Sequence, residues 1–325
     1  EKPKLDNGPE SQPDVIPDEK PKLDNGPESE PDVIIDQNEI NSGEPSWIPN
    51  IAAGFKPWYG SLYLLSSEDG LTFFEEKELF LEHAGVPNLL LTSDGLLIVS
   101  FQYFSFEDED LFNVMAYKVS IDDGETWSDI KVFDLEDLPE TQGDSKPVDP
   151  TLVETKDGSL RLYYTLHKEN DEYPGFFSAT AINSDSIFIH DEDSGLTLDG
   201  YGLLDPAIVY FDDLWHHLTP LPGAGGQQNF HSISEDGINF ERVDDIEIDL
   251  NFWGNVIETE EGLRFYGTRI DNDPGVSDDE VGIASSDNGY DWFFYGEYRY
   301  DGFDPGIIQL EDGSYLLLTT IDEGK

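Results

Sequence analysis

The chain has 325 residues, 71 of them Asp or Glu and only 17 Lys or Arg, for a formal net charge of −54. Such acidity repels phosphate backbones and anionic lipid, which argues against nucleic-acid partners and against membrane-surface readers. Zero Cys excludes disulfides, thiolate nucleophiles and Cys-ligated metals, while 20 Phe, 15 Tyr and 6 Trp can fill a substantial core.

Residues 1–18 (EKPKLDNGPESQPDVIPD) and 19–36 (EKPKLDNGPESEPDVIID) are tandem copies that differ only at Gln12/Glu30 and Pro17/Ile35. Repeated proline removes backbone donors and favours extended geometry, and there is no aromatic residue to bury. Residues 1–46 are therefore expected to form an extended linker or arm, and 47–325 the folded domain. The arm is either a spacer or an assembly device that docks on a neighbouring subunit through Val15-Ile16 and Val33-Ile34. A start at Glu1 without Met reads as already processed. With the acidity, it places the protein outside the cell or on its surface. No apolar run approaches the roughly 20 residues of a membrane helix, so membrane insertion is not expected.

Beyond Trp47 five stretches share a short apolar strand, a turn and a second apolar strand. They begin at Val86, Val148, Leu204, Trp253 and Phe303. Taking Pro87, Pro150, Pro206, Gly254 and Pro305 as equivalent, the spacings are 63, 56, 48 and 51 residues. This is the period of propeller blades of four strands each. A second pattern, S-x-D-x-G-x-T-W, is complete at Ser120–Trp127. It has looser copies at Ser66, Ile233 and Ser285 and a glycine-free one at Ala181. Its acidic side chain accepts backbone N–H bonds across a tight turn, glycine supplies positive φ, and the terminal aromatic plugs the gap between sheets. The hairpin at Ser66 has no strand pair before it, and the pair from Phe303 has no hairpin after it. The counts close if Ser61–Leu81 supplies the outer strands of the C-terminal blade. The expected fold is all-β, a five-bladed β-propeller latched by its own two ends.

On these repeats the chain resembles the sialidase-like superfamily, whose Asp-box is the hairpin signature above. The Asp-Pro strand starts look like those of five-bladed arabinanase- and xylosidase-type glycosidases. The resemblance covers residues from Trp47 onward and implies the fold and a carbohydrate-active role. In that family the boxes serve structure on the face opposite the active site. The chain departs from sialidases: its five Arg are Arg161, Arg242, Arg264, Arg269 and Arg299, and Arg161 and Arg264 occupy equivalent strand positions, as structural repeats would. The position of the arabinanase-type base in the first blade is Val86.

Inner strands of a propeller start at the open face, so Val86, Asp149, Asp205, Trp253 and Asp304 should form one ring around the axis. Asp149, Asp205 and Asp304, converging within about 5–10 Å, would suit glycoside hydrolysis by paired carboxylates, with one acid, one base or nucleophile, and a third group tuning the acid. Trp253 can stack on a pyranose, and His167, Arg269 and His83 reach the rim as hydroxyl binders. The same Asp-Pro pairs also serve as backbone devices that cap a turn and start a strand. Trp215-His216-His217 alternates faces of a strand and reads as core packing. Asp271, Asp273, Asp278, Asp279 and Glu280 have a composition that would suit Ca2+ yet lack an EF-hand spacing, and a solvated loop is the simpler expectation. Gly223-Ala224-Gly225-Gly226 is a connection and not a phosphate loop. No cofactor is required. The expected partner is a neutral glycan, bound or cleaved, and the alternative is a non-catalytic surface or filament subunit.

Overall fold

A computed structural model describes residues 45–49, 56–74, 76–221, 228–269 and 280–322, and single 3-10 turns at Pro57–Tyr59 and Glu109–Leu111 are the helical elements among them. The tandem tail (1–36), the glycine-rich connection (223–226) and acidic residues 271–279 lie outside the described residues.

The described strands form five sheets. Blade one comprises Ala84–Leu91, Leu97–Phe104, Phe112–Ser120 and Lys131–Val132. Blade two comprises Val148–Glu154, Leu160–Leu166, Gly175–Ala181 and Phe188–His190, with Leu135–Glu136 added in parallel at its outer edge. Blade three holds Ala207–Phe211, Leu214–Pro220, Gln228–Ser234 and two short pieces, Glu241–Arg242 and Ile246–Glu247. Blade four holds Asn251–Thr259, Gly262–Arg269, Glu280–Ser286 and Phe293–Asp301. Blade five joins Phe303–Gln309 and Tyr315–Asp322 to Gly60–Ser67 and Glu78–Glu82. The seam is antiparallel over eight residue pairs, with Tyr63 opposite Thr319 and Leu65 opposite Leu317. The ring therefore closes as the repeat count requires, and the inner edge of the N-terminal strand stays covered.

Each gap between neighbouring blades has its own apolar cluster. Ile98 and Met115 meet Leu162 and Phe188 between blades one and two, and Tyr163 and Phe176 meet Ile208 and Trp215 between two and three. Leu218 meets Phe252 and Phe265, Tyr266 meets Leu317, and Leu318 meets Val99 and Phe101, which completes the circle. A second strand such as Leu97–Phe104 is buried on both faces, which is why it reads as a nearly unbroken apolar run. The outermost Glu78–Glu82 is exposed or half-buried throughout and carries a Glu at each end.

The Ser-x-Asp-Gly turns, one residue tighter than Ser120–Gly124, tie blade to blade. In one of them, Ser67 Oγ accepts from Gly70 N (2.9 Å) and Asp69 Oδ1 accepts from Leu71 N (2.8 Å) and Thr72 N (2.7 Å). The Gly70 carbonyl then accepts from Tyr266 Oη of blade four at 2.6 Å, and Arg264 Nη1 donates to Asp69 O at 3.1 Å. Blades two and three repeat this contact: Tyr163 Oη donates to Gly237 O at 2.8 Å, and Arg161 Nη1 donates to Asp236 O at 2.8 Å. Arg161 and Arg264 are thus repeat-structural. The terminal aromatics plug the gaps, Phe73 against Tyr300 (4.9 Å between centroids) and Trp127 edge-on to Phe80 (5.1 Å).

Candidate functional site at the propeller axis

The innermost strands of blades one, two, four and five open with a bulge that re-aims one side chain. Pairing skips two residues between Gly85 and Asn88, between Val148 and Thr151, and between Phe303 and Gly306. At these bulges and at the matching start of blade three, the residue before proline is left-handed: Val86, Asp149, Asp205 and Asp304 have φ of 51°, 57°, 50° and 46°. Blade four replaces the dipeptide with Trp253-Gly254, and Gly254 carries a φ of 146°. Asp tolerates this region better than most residues, so the backbone alone gives it a reason to be there. Val86 adopts the same conformation despite its β-branch. The fold therefore does not demand a carboxylate, and the three that are present call for a further account.

The three aspartates meet. Asp149 Oδ2 accepts from the Asp205 backbone N–H at 3.3 Å, and the nearby Thr165 hydroxyl, which donates to Leu203 O at 3.3 Å, lowers the Asp149 pKa. The Asp205 side chain lowers the pKa of Asp149, whereas Asp149 raises that of Asp205. Burial raises the pKa of Asp149, opposed by these neighbours. Asp205 is held well above the usual carboxylate range, first by burial and then by the charges of Asp149 and Asp304. The Trp253 indole N–H lies close enough to Asp205 to favour its anion, without meeting hydrogen-bond geometry. All three aspartates keep partial solvent contact, so the surrounding protein desolvates them without sealing them off.

Thr268 links two other members of the ring. Its hydroxyl donates to Trp253 O at 2.9 Å and accepts from Asp304 N at 2.9 Å, tying blade four to blade five. Thr165 and Thr268 were not singled out by the sequence reasoning. The repeat Leu-Arg-x-Tyr-x-Thr, at Leu160–Thr165 and Leu263–Thr268, carries the signal that would have found them. The axial cavity itself has a volume of about 10 Å³, and Val86, Asn88, Thr151, Asp205, Asn255 and Asp304 contribute to its walls. That is room for one water and not for a sugar ring, so a glycan would sit over the ring at its mouth.

The rim residues have other partners. His83 Nδ1 lies 2.8 Å from Trp58 O and its ring stacks on Phe106 at 3.9 Å. His167 Nε2 is 2.9 Å from Asp171 O, and Arg269 is 3.3 Å from Glu280. None of the three lines the axial cavity. Trp215, His216 and His217 are buried in blade three; His216 Nδ1 is 3.0 Å from His231 Nε2, and His217 stacks on Phe176 at 4.1 Å. Among the described residues no group of three or more His, Asp or Glu is arranged to hold a metal ion.

Comparison with solved structures fits this architecture. Its structural neighbours are glycoside hydrolases. A thermostable family-43 glycoside hydrolase matches with a TM-score of 0.52 and 11% identity, over 74% of this chain and 91% of that one. A mutant family-32 β-fructofuranosidase from Bombyx mori, solved with sucrose, matches at 0.53 and 16%, over 72% of this chain and 54% of that longer one. A proposed exo-β-1,3-galactanase from Bifidobacterium bifidum matches at 0.51 and 12%, over 75% and 90%. At these identities the likeness is one of fold. No family model matches the chain, and no curated protein matches it.

Proposed function

We propose that the protein is carbohydrate-active and hydrolyses a neutral glycan at the axial aspartates. The observation that carries this reading is the convergence of Asp149, Asp205 and Asp304 from three blades, with Asp205 pushed well above the usual carboxylate range by burial and by the charges of Asp149 and Asp304. The neighbours' glycosidase descriptions add support. Asp149 and Asp205 touch, which is too close for the two to flank a glycosidic bond; Asp149 is therefore the tuning partner. Asp205 gives its proton to the glycosidic oxygen as the C–O bond breaks, and the aglycone leaves as an alcohol. Asp304 takes a proton from the water whose oxygen bonds to the anomeric carbon. The enzyme is left with Asp205 ionised and Asp304 protonated, and exchange with solvent restores the start. A surface of net charge −54 fits an extracellular, saline setting and disfavours anionic sugars.

The test is release of reducing ends from a panel of neutral oligosaccharides at molar salt. The parent should turn over at least one, and Asp205→Asn and Asp304→Asn should each lose about 10²–10⁴-fold while staying folded. Binding without turnover in the parent would select a non-catalytic glycan-binding module, a reading that the small cavity and the tied Asp149 carboxylate favour.

A further inference from the structure

A larger opening lies at the other end of the strands. The innermost strand of blade two, Val148–Glu154, starts at the axial ring and ends in the turn from Thr155 to Ser159. Beside that turn, between blades two and three, is a groove of about 370 Å³ whose walls include Lys156, Asp157, Arg161, Trp215, Glu235 and Asp236. That volume falls within the ~300–1,000 Å³ of ordinary small-molecule sites. Part of the wall is scaffolding, because Arg161 Nε donates to Thr180 Oγ1 at 3.2 Å and its Nη1 to Asp236 O. The same blade-to-blade contact recurs between blades four and five and serves as an internal comparison. Around Gly237, Arg161 Nη1, Tyr163 Oη and Trp215 Nε1 all lie within 3.0 Å of where a Cβ would stand; around Gly70 the corresponding atoms are Arg264 Nη1, Tyr266 Oη and Tyr315 Cε1. The fold thus accepts a ring C–H at this place. Trp215 puts an indole N–H there, on the groove wall and without a hydrogen-bond partner among the described residues.

Other groups on the wall also keep free capacity. Lys156 Nζ donates to Tyr210 Oη and sits 4.1 Å from the centroid of that ring, which packs on Trp215 at 5.2 Å. An ammonium has three N–H groups, so Lys156 has donors to spare. Asp157 Oδ1 collects the hydrogen bonds of its turn, from Thr155 Oγ1 (2.6 Å) and Ser159 Oγ (2.7 Å), and Oδ2 stays open. Glu235 is exposed and has no ion pair or hydrogen bond with any described residue. One groove therefore presents donors, Trp215 and Lys156, together with acceptors, Asp157 and Glu235. A ligand made of hydroxyls suits both kinds, because each hydroxyl donates and accepts. The carboxylates of Asp157, Glu235 and Asp236 disfavour an anion there, and the cations of Lys156 and Arg161 disfavour an amine. We propose that this groove is a second, non-catalytic binding site for one neutral sugar unit, held by Lys156, Trp215, Asp157 and Glu235. A sugar here lies at the opposite end of the strand from Asp149, so it anchors the protein and takes no part in bond cleavage. The site does not depend on whether the axial aspartates cleave.

The test uses the full chain at molar salt with D-glucose, D-galactose, D-mannose and D-xylose, their methyl glycosides, D-glucuronate, D-glucosamine and the zwitterion glycine. Saturation-transfer NMR and titration calorimetry read binding, and thermal melts check folding. A neutral sugar should bind the parent. Lys156→Gln and Glu235→Gln, both at exposed positions, should each weaken it about tenfold with Tm unchanged, and Trp215→Phe should weaken it as well. Asp205→Asn should bind as the parent does, which separates this groove from the axial ring. Equal affinity in the parent, Lys156→Gln and Glu235→Gln overturns the groove site. Loss of binding in Asp205→Asn, tighter binding of glucuronate, glucosamine or glycine, or no binding of any neutral sugar overturns it too. The axial reading stands or falls separately, on the release of reducing ends.

Discussion

Acidification should weaken this fold through the histidines buried in blade three. His217 and His231 are fully buried, and burial holds both pKa values down to about 3, with the neighbouring imidazoles (His231 for His217, His216 for His231) adding to the effect. In the unfolded chain each imidazole takes a proton below about 6.5, whereas in the folded protein it stays neutral to about 3. Between those limits the unfolded state binds more protons, so stability falls as pH falls, by about 1.36 kcal/mol per unit for each imidazole. At pH 5 this amounts to about 2 kcal/mol each and about 4 for the pair, a large fraction of a typical 5–15 kcal/mol. Asp149 and Asp205 act with the opposite sign: their folded pKa values are raised, so the penalty of ionising them is relieved as pH drops. A variant comparison separates the two. Urea unfolding at fixed salt, at pH 7, 6 and 5, should show the stability of His217→Gln falling less steeply than the parent's by about one proton's worth of slope. His231→Gln serves as the second variant. Parallel slopes in parent and both variants would refute the buried-neutral assignment.

Relieving the acid cluster should stabilise the protein: Asp205→Asn ought to raise Tm at pH 8, by about 2–4 °C per kcal/mol of repulsion removed, while abolishing turnover. Gly254→Ala should cost more than about 3 kcal/mol in chemical denaturation, since its Cβ would stand 2.1 Å from Tyr266 O at a φ of 146°. Truncation before Tyr315 removes the strand that latches Gly60–Ser67 and part of two apolar clusters, and the expected product is aggregated by light scattering; a cooperatively folding monomer would contradict ring closure. With a net charge of −54, stability should climb as NaCl rises from 0.1 to 1 M, because the Debye length shrinks from about 10 to about 3 Å; a flat salt profile would count against charge repulsion as a main cost.

The sequence by itself determined the blade count, the strand pairs and the latch. Each depends on local pattern: paired apolar runs buried on both faces, glycine where a turn needs positive φ, and a Ser-Asp-Gly turn whose side chains satisfy their own backbone. It also placed Asp149, Asp205 and Asp304 at one level, because equivalent repeat positions must share a radius in a closed ring. Only the tertiary structure decided what those carboxyls do to one another. That Asp149 accepts from the Asp205 backbone, that Thr268 braces Trp253 and Asp304, and that His216 meets His231 are contacts between different strands or blades, set by the bulges and by the packing of one sheet on the next. A repeat specifies where a side chain starts; the angle between neighbouring sheets specifies which side chain it meets.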